Sequence, residues 1–256
     1  MRGRTGLRLA AGLCLVLLLG GCATTTDRPV SDEREEGAEV HADLGIGYLR
    51  EGEFEQAERN LRRALEYDPG HALANIGMAS VQERKGQLDR AEEHYRRALR
   101  RDEGNPFAQT NLGALLCSRE DFEEAQELFA KAIDNPDYDR RDIAYMNSGV
   151  CHADAGDIEQ GERQLRRALE LNPQYPRALL EMARLTYNAD RPMQTRAFLQ
   201  RLNSQGVENA ETLLLCYQAE TVLGNSRAAN SCADRLSRQH PDSEEMTELR
   251  RLEDEG

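Results

Sequence analysis

The residues of this sequence most suited to chemistry by type and spacing are its six cysteines. Two lie near the N-terminus and four lie in the body of the chain, at Cys14, Cys22, Cys117, Cys151, Cys216 and Cys232. A cysteine sulfur can carry a lipid, close a disulfide, bind a metal or act as a nucleophile, and its neighbours decide among these. The role of each cysteine therefore depends on its local sequence.

The sequence before Cys22 predicts lipidation. Three arginines precede an apolar run over residues 9–19, which is too short to cross a bilayer that needs about 20 residues. A basic leader before such a run is typical of a cleaved secretory signal, here residues 1–21. Leu19-Gly20-Gly21-Cys22 resembles the lipobox of bacterial lipoproteins, which implies cleavage before Cys22 and acylation of its thiol and new amino group. The alternative is a secreted protein with a chance cysteine.

The lipobox resemblance also implies a location. By the enteric sorting rule, an Asp after the lipidated cysteine retains a protein in the inner membrane, but Ala23 stands there. We therefore expect an outer-membrane lipoprotein that faces the periplasm, held stably because it carries two or more acyl chains. Residues 22–37 are polar and lack periodic apolar positions, which predicts a lipidated flexible tether.

The four remaining cysteines could form two disulfides in an exported protein. Cys216 and Cys232 fall at positions that antiparallel helices bring together, whereas Cys117 and Cys151 lie on the first helices of consecutive repeats. Helices stacked about 10 Å apart can be bridged only where the two side chains point at each other. The alternative is four buried free thiols that pack as small apolar residues.

No group of residues in the sequence predicts catalysis or a metal centre. The five histidines lack the one-turn spacing of helical metal ligands, and there is no Gly-rich phosphate loop, nucleophile elbow or CxxC pair. The formal net charge of −13 argues against nucleic acid as a partner. We predict a protein that is not an enzyme, needs no cofactor and takes no small-molecule substrate.

An internal repeat determines the predicted architecture. From residue 38 a pattern recurs every 34 residues, with one step of 36, giving units near 38–71, 72–105, 106–141, 142–175, 176–209 and 210–243. The first unit carries Leu44-Gly45, Ala57 and Pro69 at the places typical of a tetratricopeptide repeat. Small residues let two helices approach closely, and proline ends the second helix. The sequence predicts an all-α fold over residues 38–256, a right-handed α-solenoid of about six repeats with a C-terminal capping helix.

The inner face of this superhelix is the candidate binding surface. Asn111 and Asn147 both fall at the sixth place of a unit, where an amide can donate to and accept from an extended peptide. The aliphatic and aromatic residues predicted to line the same face are Ile46, Leu49, Leu73, Ile76, Phe107, Ile143, Met146 and Val150. An apolar strip can mark an interaction surface. The alternative is that the two Asn residues bond locally and the apolar residues pack between repeats.

A lipoprotein signal followed by six such units, with a long connection after the third, resembles the PilF/PilW lipoproteins of type IV pilus biogenesis. Asn-Leu-Gly-Ala-Leu-Leu-Cys at 111–117 and Asn-Ser-Gly-Val-Cys at 147–151 carry the resemblance, together with the two-residue excess in 135–141. It implies a pilotin, which binds secretin subunits and promotes their outer-membrane localisation and multimerisation. The alternative is a general periplasmic scaffold lipoprotein that serves outer-membrane protein assembly or cell-wall enzymes.

Overall fold

The computed structural model describes residues 30–255, and all regular secondary structure in this range is α-helical. The helices are α1 (Val30–Glu51), α2 (Phe54–Tyr67), α3 (Ala72–Arg84), α4 (Leu88–Arg101), α5 (Pro106–Ser118), α6 (Phe122–Asp134), α7 (Arg141–Asp154), α8 (Ile158–Leu171), α9 (Pro176–Asn188), α10 (Pro192–Asn203), α11 (Ala210–Val222), α12 (Ser226–Gln239) and α13 (Glu244–Glu255). Helices α1–α12 form six antiparallel pairs, which we number units 1 to 6, and α13 follows them.

The all-α repeat architecture predicted from the sequence is confirmed. The first helices of units 2, 3, 5 and 6 begin at residues 72, 106, 176 and 210, where the repeat pattern begins, and α7 begins one residue early, at Arg141. Each first helix packs on its own second helix, and each second helix also packs on the first helix that follows it. Because neighbouring units contact mainly each other, the chain forms a solenoid rather than one central core.

The predicted tether is wrong for residues 30–37, because α1 already begins at Val30. Asp32 and Glu33 stand in the first turn of α1, where carboxylates favour a helix start. A Cβ added to Gly37 would lie 3.2 Å from the Tyr67 ring, and Ala38 is fully buried. Contact with α2 therefore stabilises the early turns of α1. Residues 22–29, including Cys22, lie outside the described range.

Small residues allow the two helices of a unit to approach closely. A Cβ added to Gly113 would lie 2.8 Å from the Phe129 ring, and one added to Gly149 would lie 2.8 Å from Leu165. The approach in unit 4 leaves room for neither side chain, because Gly161 faces Gly149 across it. The predicted spacing of glycine and alanine thus has a steric cause.

The two-residue excess between units 3 and 4 forms a loop that carries one buried aromatic residue. Tyr138 is 2% exposed and meets Phe107 edge-on, with the ring centroids 5.1 Å apart. Burial of the phenol raises the pKa of Tyr138. Tyr138 joins Ala132 and Ala144 in a small cluster, so the loop fills the space between α6 and α7.

The last helix covers the end of the solenoid, as predicted. Met246 and Leu249 of α13 are buried against Leu213 and Leu236 of unit 6. The Ser243 hydroxyl accepts a hydrogen bond from the Met246 backbone N–H at 3.1 Å, which caps the helix. Among residues 30–255, no helix combines the length and the hydropathy needed to cross a membrane.

Candidate binding surface

Most residues of the predicted apolar lining lie on first helices and are only partly exposed. Phe107 is 49% exposed, whereas the other accessible members, Ile46, Leu49, Leu73, Ile143 and Val150, are half-buried. Ile46, Leu49 and Leu73 pack on the core cluster of units 1 and 2, and Val150 packs on that of units 4 and 5. These side chains therefore serve packing and leave a partial apolar surface.

Two predicted lining residues are corrected by the structure. Ile76 is 8% exposed and belongs to the core of units 2 and 3, while Met146 is fully buried in the core of units 4 and 5. Both occupy the fifth place of a unit. A side chain at this place points towards the neighbouring helices, so neither residue can contact a partner.

Asn111 and Asn147 occupy equivalent places on α5 and α7, and both are half-buried. Within residues 30–255, neither carboxamide forms a side-chain hydrogen bond. Asn75 on α3 differs, because its amide donates to two backbone carbonyls and its oxygen lies 2.9 Å from His94 Nδ1. Partly buried polar groups usually find partners. The two amides are thus free to bond to an extended peptide, and their role in binding stays a prediction.

A groove between α1 and α3 joins apolar and charged groups, and we call it the N-terminal groove. Its lining is Ile46, Leu49, Arg50, Phe54, Ser80, Glu83 and Arg84. The Arg84 guanidinium carbon lies 3.8 Å from the centroid of the Phe54 ring, a favourable cation–π contact. The buried Tyr95 hydroxyl donates to Glu83 Oε2 at 2.7 Å. Burial raises the pKa of Glu83, and the hydrogen bond from Tyr95 opposes that shift.

A second groove, which we call the central groove, lies between α7 and α9. Its apolar part includes Val150, Ile158 and Leu185, and its charged part includes Arg177, Glu181 and Arg184. Arg184 donates to both oxygens of Glu211 and, at 2.9 Å, to Glu181 Oε1. These hydrogen bonds, led by that to Glu211, raise the pKa of Arg184.

Arg177 differs from Arg184 at the edge of the same groove. It makes no ion pair within the part of the chain that the structure describes, and its side chain is exposed. In the central groove, the Arg184 guanidinium is therefore occupied by ion pairs, whereas the Arg177 guanidinium is available to a partner. These arginines were not predicted as binding residues, although they fall at the second and ninth places of unit 5, where residues of the inner face are expected.

The structure brings each predicted cysteine pair together. The Cα atoms of Cys117 and Cys151 are 5.7 Å apart, and those of Cys216 and Cys232 are 6.1 Å apart, both within the range of a disulfide. The first pair links α5 to α7 across two units, and the second links α11 to α12 within one unit. Oxidation of the pairs in the native protein stays a prediction.

No described residues form a metal centre. Within residues 30–255, no three or more His, Cys, Asp or Glu side chains are arranged to hold a metal ion. The described surface offers apolar area, unpaired amides and many charged groups, and such groups can bind a peptide noncovalently.

Most of the chain matches a known repeat family. The tetratricopeptide repeat family matches residues 42–106, 84–141 and 143–175. These matches together cover units 1 to 4 almost completely. Units 5 and 6 depart further from the repeat sequence, but the structure shows the same helical pairs there.

Relatives match nearly the whole chain. The type IV pilus assembly protein PilF of Pseudomonas aeruginosa is 31% identical over 246 residues, which are 95% of this chain and 98% of that protein. The solved structure of P. aeruginosa PilF superposes with a TM-score of 0.76 over 86% of this chain and 99% of its own. PilW, described as a widely conserved type IV pilus biogenesis factor, is 29% identical, with a TM-score of 0.77 over 83% of this chain and 97% of its own.

Proposed function

This chain belongs to the PilF/PilW family of type IV pilus biogenesis proteins, and on that premise we propose that it is a pilotin. In this role it binds secretin subunits, carries them to the outer membrane and promotes their multimerisation. The observation that carries the proposal is the match to PilF over 95% of the chain, together with a superposition that covers 86% of this chain. Full-length similarity favours a shared role more strongly than any single repeat could.

The proposed mechanism is geometric and needs no chemical step. Acyl groups on Cys22 hold the chain at the inner leaflet of the outer membrane, facing the periplasm, and residues before α1 connect the anchor to the repeats. A client held by the solenoid then has a raised local concentration at the membrane. Multimerisation becomes faster because subunits meet in two dimensions rather than in the periplasmic volume.

Outer-membrane secretin multimers provide the first test. We expect the detergent-resistant multimers seen on an immunoblot to collapse to monomer in cells that lack this chain. Cys22→Ser should also reduce them, because the variant folds but is not anchored. Unchanged multimers in both strains would contradict the proposal and favour the general scaffold alternative.

The client contact has a separate test at the two free amides. Asn111→Ala combined with Asn147→Ala should weaken secretin binding about tenfold, because each lost hydrogen bond costs roughly 0.5–1.5 kcal/mol. Asn230→Ala is the matched control, since Asn230 is exposed on α12, away from the first helices. Pull-down with purified secretin measures the effect. Equal binding by the double variant and the control would place the client elsewhere on the solenoid.

A further inference from the structure

A cleft on the side of the second helices holds both cysteines of unit 6. It lies between α10 and α12 with α11 as its floor, and Cys216 and Cys232 both line it. Leu199, Val207 and Leu213 supply its apolar part. The cleft is separate from the N-terminal and central grooves, which are lined chiefly by first helices.

The two sulfurs have different surroundings. Cys232 is 2% exposed, and Arg235 Nη2 donates to its Sγ at 3.3 Å. Glu208 fixes this arginine by accepting from Nη1 at 2.5 Å. Cys216 is only half-buried. Cys216 is therefore the more exposed residue of the pair, and the Cys232 sulfur is held against an N–H donor.

The remaining charges of the cleft balance. Arg196 donates to both carboxylate oxygens of Glu220, which is 6% exposed, with 2.6 Å between Nε and Oε1. Each of the two arginines is thus paired with one glutamate. The cleft neither strongly attracts nor repels an anion, so the N–H of Arg235 is the specific feature near the sulfurs.

We propose that this cleft is a thiol-exchange site, in which a small thiol forms a mixed disulfide with Cys216. The attacking thiolate supplies the electron pair of the new bond to Cys216 Sγ, and the Cys216–Cys232 bond breaks. Its electron pair leaves on Cys232 Sγ, which is a thiolate until it takes a proton from water. The reaction requires the disulfide and the attacking thiol alone, and it does not depend on the pilotin role.

The asymmetry of the pair determines the direction of the exchange. A thiol of lower pKa leaves faster, and a neighbouring arginine lowers the pKa of a thiol. The hydrogen bond from the charged Arg235 strengthens when Cys232 leaves as a thiolate, because donor and acceptor are then both ionised. Attack on Cys216 also takes place at the more exposed residue of the pair. The Cys117–Cys151 pair lacks this access, because the two residues are 8% and 0% exposed.

Glutathione and tryptic peptide mapping test the proposal on the full-length chain. The chain is treated with reduced glutathione, quenched with acid, alkylated and digested without reduction. Cleavage after Arg227 separates the peptide of Cys216 from that of Cys232. We expect glutathione on Cys216 and the alkyl group on Cys232, while Cys117 and Cys151 remain joined. Glutathione chiefly on Cys232, or equal opening of both pairs, would overturn the proposal.

Arg235→Gln tests the role of the donor, with Arg238→Gln as the matched control, because Arg238 is exposed on the same helix. The first variant should slow formation of the Cys216 adduct by about tenfold, since a leaving thiolate of higher pKa departs more slowly. The control should react at the rate of the unaltered chain. Equal rates for all three proteins would contradict the role given to Arg235. The position of the adduct in the unaltered chain decides the proposal even if the first variant folds poorly.

Discussion

The boundary between units 2 and 3 and the boundary between units 3 and 4 join equivalent helices by different chemistry. At the first, Arg119 contacts Asp89 and Glu92 at 2.9 and 3.1 Å, and Arg96 contacts Glu124 at 2.8 Å. The apolar core also continues from unit 2 into unit 3. Ion pairs and apolar packing thus hold units 2 and 3 together without a covalent link.

At the second boundary, neutral contacts and a pair of adjacent cysteines replace the charged contacts. Gln126 occupies the place of Glu92, and it donates to the Ser148 carbonyl at 3.0 Å and accepts from the Ser148 hydroxyl at 2.6 Å. Within residues 30–255, the core of units 2 and 3 includes a single residue of unit 4, Cys151. Cys117, adjacent to it, and the buried Tyr138 lie at the same boundary.

The remaining boundaries with an equivalent glutamate follow the charged pattern. Lys85 contacts Glu58 at 2.6 Å between units 1 and 2, and Arg191 contacts Glu162 at 2.6 Å between units 4 and 5. Exposed ion pairs contribute little stability, about 0–1 kcal/mol each. The boundary with the 36-residue step therefore differs from the others both in the length of its connection and in the type of interaction that joins the two sides.

The largest expected effect comes from the cysteines of the second boundary. Cys117→Ala with Cys151→Ala should lower the free energy of unfolding by about 3–4 kcal/mol, because the disulfide closes a loop of this length. The two residues are 34 apart in sequence. Urea unfolding of the chain without reductant measures the change. An unaltered unfolding midpoint would show that the cysteine pair does not stabilise the boundary between units 3 and 4.

The aromatic pair should have an intermediate effect. A double-mutant cycle of Phe107→Ala and Tyr138→Ala should give a coupling energy of about 0.5–1.5 kcal/mol, as edge-on aromatic pairs do. The same unfolding measurement on the two single variants and the double variant provides it. Strict additivity would mean that Tyr138 fills space without a specific contact to Phe107.

The smallest effect is expected at the first boundary. Arg119→Ala should lower the free energy of unfolding by less than about 1 kcal/mol, because Arg119 is partly exposed and its partner Asp89 is 91% exposed. Salt should remove most of this difference by screening, at an ionic strength of about 1 M. A loss as large as that of the cysteine double variant would remove the contrast between the boundaries.

The repeated parts of the fold could be predicted from the sequence, because residues that recur every 34 positions occupy equivalent packing positions. Helix starts at 72, 106, 176 and 210 agree with the pattern for this reason. The contact of Gly37 with Tyr67 gave no such signal, so the start of α1 was predicted too late. Tyr138 was missed as a packing residue because its loop has no equivalent in the other units.

The candidate surface was predicted less well than the fold. The period places a residue on a helix face, but the rotation of that helix against its neighbours decides which side chains remain accessible. Ile76 and Met146 were therefore placed on the surface and are buried. Asn111 and Asn147 were selected from the sequence, but the repeat period could not show whether their amides bond locally, since a bond such as that of Asn75 depends on groups outside the repeat pattern.

The irregular connection after unit 3 also distinguishes one correct arrangement of similar units from incorrect ones. In an array of nearly equivalent helices, a folding chain could stack α5 on α9 and omit a unit. Such an arrangement would leave Cys117 without Cys151 and the space filled by Tyr138 without its walls. Tyr138 and the cysteine pair therefore favour the correct order of the repeats over an order that omits a unit.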